Sequence, residues 1–246
     1  KGMVERCADC GFDLAGGRVE VIPTAHYMMG GVRFAPDCKT ALPGLYAAGE
    51  DTGGVHGANR LGGNGVANST VFGGIAGASM ARGIGRENFR APIERAIEEA
   101  VARASAPFGT PPGDVEGIRD RLYGVMWEDA GIVRDAAGLK RAATALQNLE
   151  TDLAGTGVAG GRDFNLAWHA WLDLKNLILT SRAIVAAAKA RQDSAGAHFR
   201  ADFPDPADPA HARFTCAKLK GGQIEVATEP VAFSRVRPGE SLLAAT

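Results

Sequence analysis

Residues 44–50 read GLYAAGE and residues 56–65 read HGANRLGGNG, and the fold turns on how these two runs are read. The first is a short apolar run ending in Gly-Glu, which predicts a strand over 45–48 with Glu50 at its carboxyl edge. Ligands of open α/β folds bind outside that edge, and a carboxylate there suits sugar-type hydroxyls. The second run closes in Gly62-Gly63-Asn64-Gly65, a turn that opens a small-residue helix from about Val66 to Arg82. The first turn of such a helix offers backbone N–H groups and the positive end of the dipole, an anion site. Strand, Gly-rich turn and helix together form the pattern that cradles a nucleotide cofactor. Gly73 and Gly77 permit close packing of that helix, and Asn68, Ser69 and Thr70 interrupt what would otherwise be an apolar membrane-dimerisation face.

Upstream, VEVI at 19–22 predicts a second short strand, and HYMMGG at 26–31 places His26 on tight backbone. Arg60, in a glycine-rich loop, has a guanidinium fork that can grip a carboxylate bidentately, and His26 can donate to another. On residue type alone, His26 serves equally as a structural histidine and Arg60 as half of a surface ion pair.

Downstream of about Glu87, glycine thins and helical periodicity takes over until Asp193. Ile118, Leu122, Val125 and Met126 share a face; Leu139, Ala142, Ala143, Leu146, Leu149 and Leu153 share another. A third, long helix reads from Asp163 as N-cap to about Arg191, with Ala167, Trp171, Leu174 and Ile178 on its apolar side. A three-helix bundle follows, with Trp168, Trp171 and Met126 as packing residues. FGTPPGD at 108–114 links it to the first region. The prolines of DFPDPADP at 202–209 recur too closely for regular structure. RFTCAKLK, Gly221-Gly222 and QIEVAT then spell a hairpin.

The 246 residues carry 27 basic and 28 acidic side chains, without the basic footprint of a nucleic-acid partner. The longest apolar stretch, Ala183 to Ala188, is far short of the roughly 18 residues a membrane span needs, so no direct membrane insertion is expected. Cys7 and Cys10 form a single CxxC that runs into a Gly-Phe-Asp turn; with no second pair, neither a metal site nor a redox dithiol is expected.

PTAHYMMGG (23–31), ALPGLYAAGE (41–50), HGANRLGGN (56–64) and SAGAHFRADFP (194–204) resemble the flavoprotein family of succinate dehydrogenase and fumarate reductase, which includes L-aspartate oxidase. The resemblance implies an α/β plus all-α fold: the C-terminal part of a Rossmann-like FAD-binding domain over 1–85, a helical domain over 86–205, and a small β-hairpin tail over 206–246 packed on the helices. It implies FAD as cofactor, with Glu50 on the ribityl chain and Asn64, Gly65 and Val66 around the isoalloxazine. It also implies that His26 and Arg60 bind the carboxylates of a C4 dicarboxylate, while His56 braces its loop. Hydride would pass between flavin and the central carbons of a succinate- or fumarate-type substrate. The alternatives are an L-aspartate oxidase, a reductase of another unsaturated acid, or a non-catalytic docking module for an iron–sulfur subunit.

Three departures qualify the match. Ala195 stands where the family has Arg, Gly65-Val66 replaces Ser-Leu, and the Glu50–Arg60 loop is one residue shorter than in the membrane-complex enzymes and in L-aspartate oxidase. The family's GxGxxG turn, its capping domain and its proton-transferring arginine are not in this sequence, so no catalytic proton donor is assigned within it. The chain is expected to be a fragment, inactive by itself. Its expected location is cytoplasmic, at the inner face of a membrane where partner subunits take it there.

Overall fold

The structure, a computed structural model, describes residues 2–21, 26–84 and 91–241. Ile22, residues 23–25 of the first motif, and the boundary near Gly85 and Glu87 lie outside the described residues. The chain divides into two compact units, one of residues 1–55 with 61–82 and the other of residues 56–60 with 83–246.

The first unit holds helices α1 (Gly2–Asp9) and α2 (Asn64–Gly83). Helix α2 begins two residues ahead of the expected Val66 because the Gly62-Gly63 turn closes early: the Asn64 N–H donates to Leu61 O at 3.2 Å. The two strands expected here do not form as such. Residues 19–21 carry no strand, and 45–48 carry a single bridge, between Lys39 and Tyr46, with a second bridge joining Val32 to Thr52. A strand exists through its partner, and among the described residues the 45–48 run is offered one isolated bridge rather than a ladder. What organises the unit instead is contact with α2. Phe34 meets Phe72 edge to face at 5.6 Å, and the buried Cys38 thiol reaches Phe72 O at 3.4 Å.

The second unit is the bundle. Helices α3 (Glu94–Ser105), α4 (Val115–Glu128), α5 (Ala136–Ala154) and α6 (Leu166–Ala190) follow in order. Side chains of the last three form one core, with Leu122, Leu139, Leu146, Leu174, Ile178 and Val185 each at most 2% exposed. The i, i+3, i+4 rows read from the sequence are the rows that meet. Ala167 departs from its expected face and is exposed. Asp114 and Asp135 cap α4 and α5 by accepting from the N–H groups of Gly117 and Gly138.

The cap of α6 is Asn165, not Asp163. Its amide oxygen accepts from Trp168 N while its NH₂ donates to Ala159 O and Gly161 O, at 2.8 and 2.7 Å. A carboxylate cannot donate, so only the amide can tie the helix start to the preceding loop as well. Trp168 is half-buried, donating to Ala104 O and meeting Phe108 edge to face at 5.2 Å. Trp171 is buried, its indole N–H shared between Leu153 O and Thr156 O.

Two short strands, β1 (Val133–Arg134) and β2 (Phe199–Arg200), pair in parallel. The hairpin is as read: β3 (Arg213–Lys220) and β4 (Gln223–Pro230) pair antiparallel across Gly221 and Gly222, at φ +57° and +79°. Two consecutive positive φ values are those of the primed turn that matches strand twist. The hairpin packs on α6, where Arg182 donates to Gly222 O at 3.1 Å.

Candidate functional site

In the first unit the structure brings the 26–31 run, Glu50 and the start of α2 together. The Met28 N–H donates to Glu50 Oε1 at 3.0 Å, which ties the two motifs and leaves the exposed carboxylate a second oxygen to accept with. Asn68, one turn into α2 and 4% exposed, donates through its side-chain NH₂ to Gly49 O at 3.1 Å and to the Tyr27 hydroxyl at 3.2 Å. The Tyr27 ring lies under the helix start, so that a Cβ on Gly65 would sit 2.8 Å from ring carbon Cε2. Glycine is what this close approach requires. The family's usual serine at that place would need Tyr27 to move.

Asn64, Gly65 and Val66 form the first helical turn, with Val66 77% exposed and the preceding Leu61 75% exposed. An apolar rim, the N–H donors of a helix start and a carboxylate acceptor tied to the 26–31 run suit the ring and ribityl chain of a flavin. Gly62 and Gly63 have open space where a Cβ would project. His26 belongs to the first unit and is exposed.

Arg60 belongs, with residues 56–59, to the second unit, where it is half-buried. Its N–H donates to Asn59 Oδ1 at 2.8 Å. His56 is half-buried in the same loop.

Tyr27 and Asn68 were not singled out from the sequence as site residues. The available signal was a lone Asn one helical turn after the Gly-Gly-Asn-Gly opening, within an otherwise small-residue helix. Also unforeseen was a polar frame in the second unit. Arg200, 2% exposed, forks onto both oxygens of Asp202 at 2.7 Å and donates to Ala188 O and Arg191 O. That contact holds the Asp202 carboxyl down at about 2, the Arg200 hydrogen bond being the leading cause. Arg134 donates to His198 Nδ1 at 2.9 Å, which puts the proton of the neutral ring on Nε2. Burial first, then the nearby guanidinium groups of Arg134 and Arg191, push His198 down to about 4; Asp193 opposes them, and Arg200 adds a smaller downward push.

The fold and this arrangement define a cofactor-binding α/β segment joined to a helical domain. A family profile described as Fumarate reductase flavoprotein C-term matches residues 119–242, and one described as FAD binding domain matches residues 5–66. A fumarate reductase (CoM/CoB) subunit of Methanothermobacter marburgensis is 38% identical over 82% of this chain and 37% of its own length. L-aspartate oxidase of Mycobacterium leprae is 37% identical over 92% of this chain and 38% of its own length. Among solved structures, the Mycobacterium smegmatis Sdh1 complex in the apo form superposes with a TM-score of 0.84 at 34% identity, over 93% of this chain and 40% of that one. The chain therefore belongs to the succinate dehydrogenase/fumarate reductase flavoprotein family, and its cofactor is FAD. It spans about two fifths of the length of the relatives it matches.

Proposed function

We propose that this chain serves as the closing part of an FAD-dependent oxidoreductase that interconverts a C4 dicarboxylate and its unsaturated form. The observation that carries the reading is the join of Glu50, Tyr27 and the first turn of α2 through Met28 and Asn68. It gathers a carboxylate acceptor and the N–H donors of a helix start within the first unit. FAD, when bound, supplies the hydride acceptor and donor. Glu50 then accepts from ribityl hydroxyls with the oxygen that Met28 does not occupy. The N–H groups around Gly65 and Val66 favour negative charge on the ring.

Arg60 binds one substrate carboxylate with its fork, and His26 donates to the other. Their assignment to one substrate comes from the family motifs. Charge that develops on the substrate is stabilised by these donors, which need not reorganise as it forms. An aspartate-type substrate is the alternative, since L-aspartate oxidase of M. leprae is 37% identical over 92% of this chain. Relatives described as a complex or as one of its subunits support a partner, which we take to be an iron–sulfur protein, cytoplasmic at the inner membrane face. Among the described residues no helix is long and apolar enough to cross a membrane.

The test is titration of the FAD-loaded full-length protein with malonate, a dicarboxylate that cannot react. His26→Ala should raise its dissociation constant with flavin absorbance little changed. Loss of flavin with inhibitor affinity intact in the remaining folded protein would assign His26 a structural role instead. Separately, the 246-residue chain alone should bind FAD weakly and reduce no fumarate. Stoichiometric FAD with appreciable turnover would overturn the division of labour proposed.

A further inference from the structure

Residues 56–60 form a loop with little burial of its own: Gly57, Ala58 and Asn59 are exposed, and Gly57 stands at φ +59°. The backbone of such a loop is placed by whatever bonds to it. The 195–198 turn does so. Ala195 N–H and His198 O, and His198 N–H and Ala195 O, bond in both directions at 2.9 and 3.0 Å, closing a two-residue loop of Gly196 and Ala197. Gly196 takes φ +56°, and the Ala197 N–H at the tip donates to Ala58 O at 3.0 Å, two residues before Arg60. The approach is so close that a Cβ on Gly196 would run into the Ala58 carbonyl and lie 2.8 Å from the Ala58 Cβ.

The turn is itself held from behind. Ser194 Oγ donates to Phe203 O at 2.8 Å and accepts from the Arg200 N–H at 2.9 Å. Arg200 fastens that strand to the end of α6 through Ala188 O and Arg191 O, and Arg134 grips His198. A continuous set of bonds thus runs from the bundle to the backbone of the Arg60 loop.

We propose that the 195–198 turn is a positioning element for Arg60, with Gly196 permitting the approach and the Ala197 N–H fixing the Ala58 carbonyl, so that the helical unit sets the orientation of the carboxylate-binding fork. The proposal rests on the reading of Arg60 given above. An Arg whose backbone drifts by about an ångström loses the alignment a bidentate contact needs, which can change rates and affinities by up to about a hundredfold.

The test uses the full-length FAD-loaded protein and four variants: Gly196→Ala, Gly196→Asn, Arg60→Gln, and Arg60→Gln combined with Gly196→Ala. Gly196→Ala should raise KM and the malonate dissociation constant about tenfold or more and lower kcat with them, with FAD content and helical circular dichroism retained. Gly196→Asn separates two causes. Asn tolerates positive φ but still carries a Cβ, so it should fail like Ala; rescue by Asn would overturn the close-approach argument. In the Arg60→Gln background, Gly196→Ala should change malonate affinity by less than about twofold, the non-additivity of two groups acting as one. If Arg60→Gln weakens malonate binding while Gly196→Ala does not, the positioning role falls and the reading of Arg60 stands. If Arg60→Gln has no effect, that reading falls first. Should Gly196→Ala not fold, amide exchange of the unaltered protein decides: saturating malonate should slow exchange at Ala197, because coupling between sites is reciprocal, and unchanged exchange would overturn the proposal.

Discussion

The two units hold together by different means. In the bundle, Leu122, Leu146, Leu174 and Val185 are almost wholly removed from water, and three helices share one contiguous core. In the first unit, Cys38 and Ala76 are the buried apolar side chains among the described residues, while Leu61, Val66 and Val71 stay more than half exposed. Its order comes from polar bonds that converge on Gly49 O, the Tyr27 hydroxyl and the Glu50 carboxylate. A packed core closes on itself whatever is bound. A framework of backbone and amide bonds with an apolar rim leaves its stability open to whatever covers that rim, and here the covering group we propose is the flavin.

The largest effects should separate the units by stability. Leu146→Ala, at a fully buried position, should cost about 2–5 kcal/mol, read as a shift of the denaturant midpoint for the helical signal. A loss below about 1 kcal/mol would show that the bundle is not the self-sufficient part. Next comes the site. Arg60→Lys keeps the charge and loses the fork, so dicarboxylate affinity and turnover should fall by about 1.5–3 kcal/mol, roughly tenfold to more than a hundredfold, with FAD retained. Unchanged steady-state kinetics with succinate, fumarate and aspartate would remove Arg60 from substrate binding.

Asn68→Ala, which unties α2 from Gly49 and Tyr27, should cost about 1–3 kcal/mol. Its mark should be local: faster amide exchange over 64–83, and none over 136–154. Uniform acceleration of both would erase the distinction between the units.

The last effect concerns pH. His198 stands at about 4 in the folded protein against its ordinary 6.5. The unfolded chain therefore binds the extra proton first, and stability from this group is complete above pH 6.5 and lost as pH falls toward 4. His198→Gln should flatten that part of the pH–stability profile. A profile unchanged by the substitution would mean that burial and the nearby Arg134 and Arg191 do not hold the ring neutral.

The amino-acid sequence by itself determined the features whose causes are local. Leu139, Leu146 and Leu153 share a face because 3.6 residues make a turn, and Gly221-Gly222 makes a hairpin because both must take positive φ. The Gly-rich opening of α2 was legible for the same reason, whereas the roles proposed for Glu50 and Arg60 come from the resemblance of their motifs to the family. Tertiary structure decided the rest. Residues 45–48 make one bridge because strand pairing depends on a neighbour that no local pattern specifies. Asn165 took the cap from Asp163 because Ala159 and Gly161 offered carbonyls that only an amide could serve. And Gly196 meets Ala58 across more than a hundred residues of chain, a contact set by how the end of α6 is anchored, which no window of sequence contains.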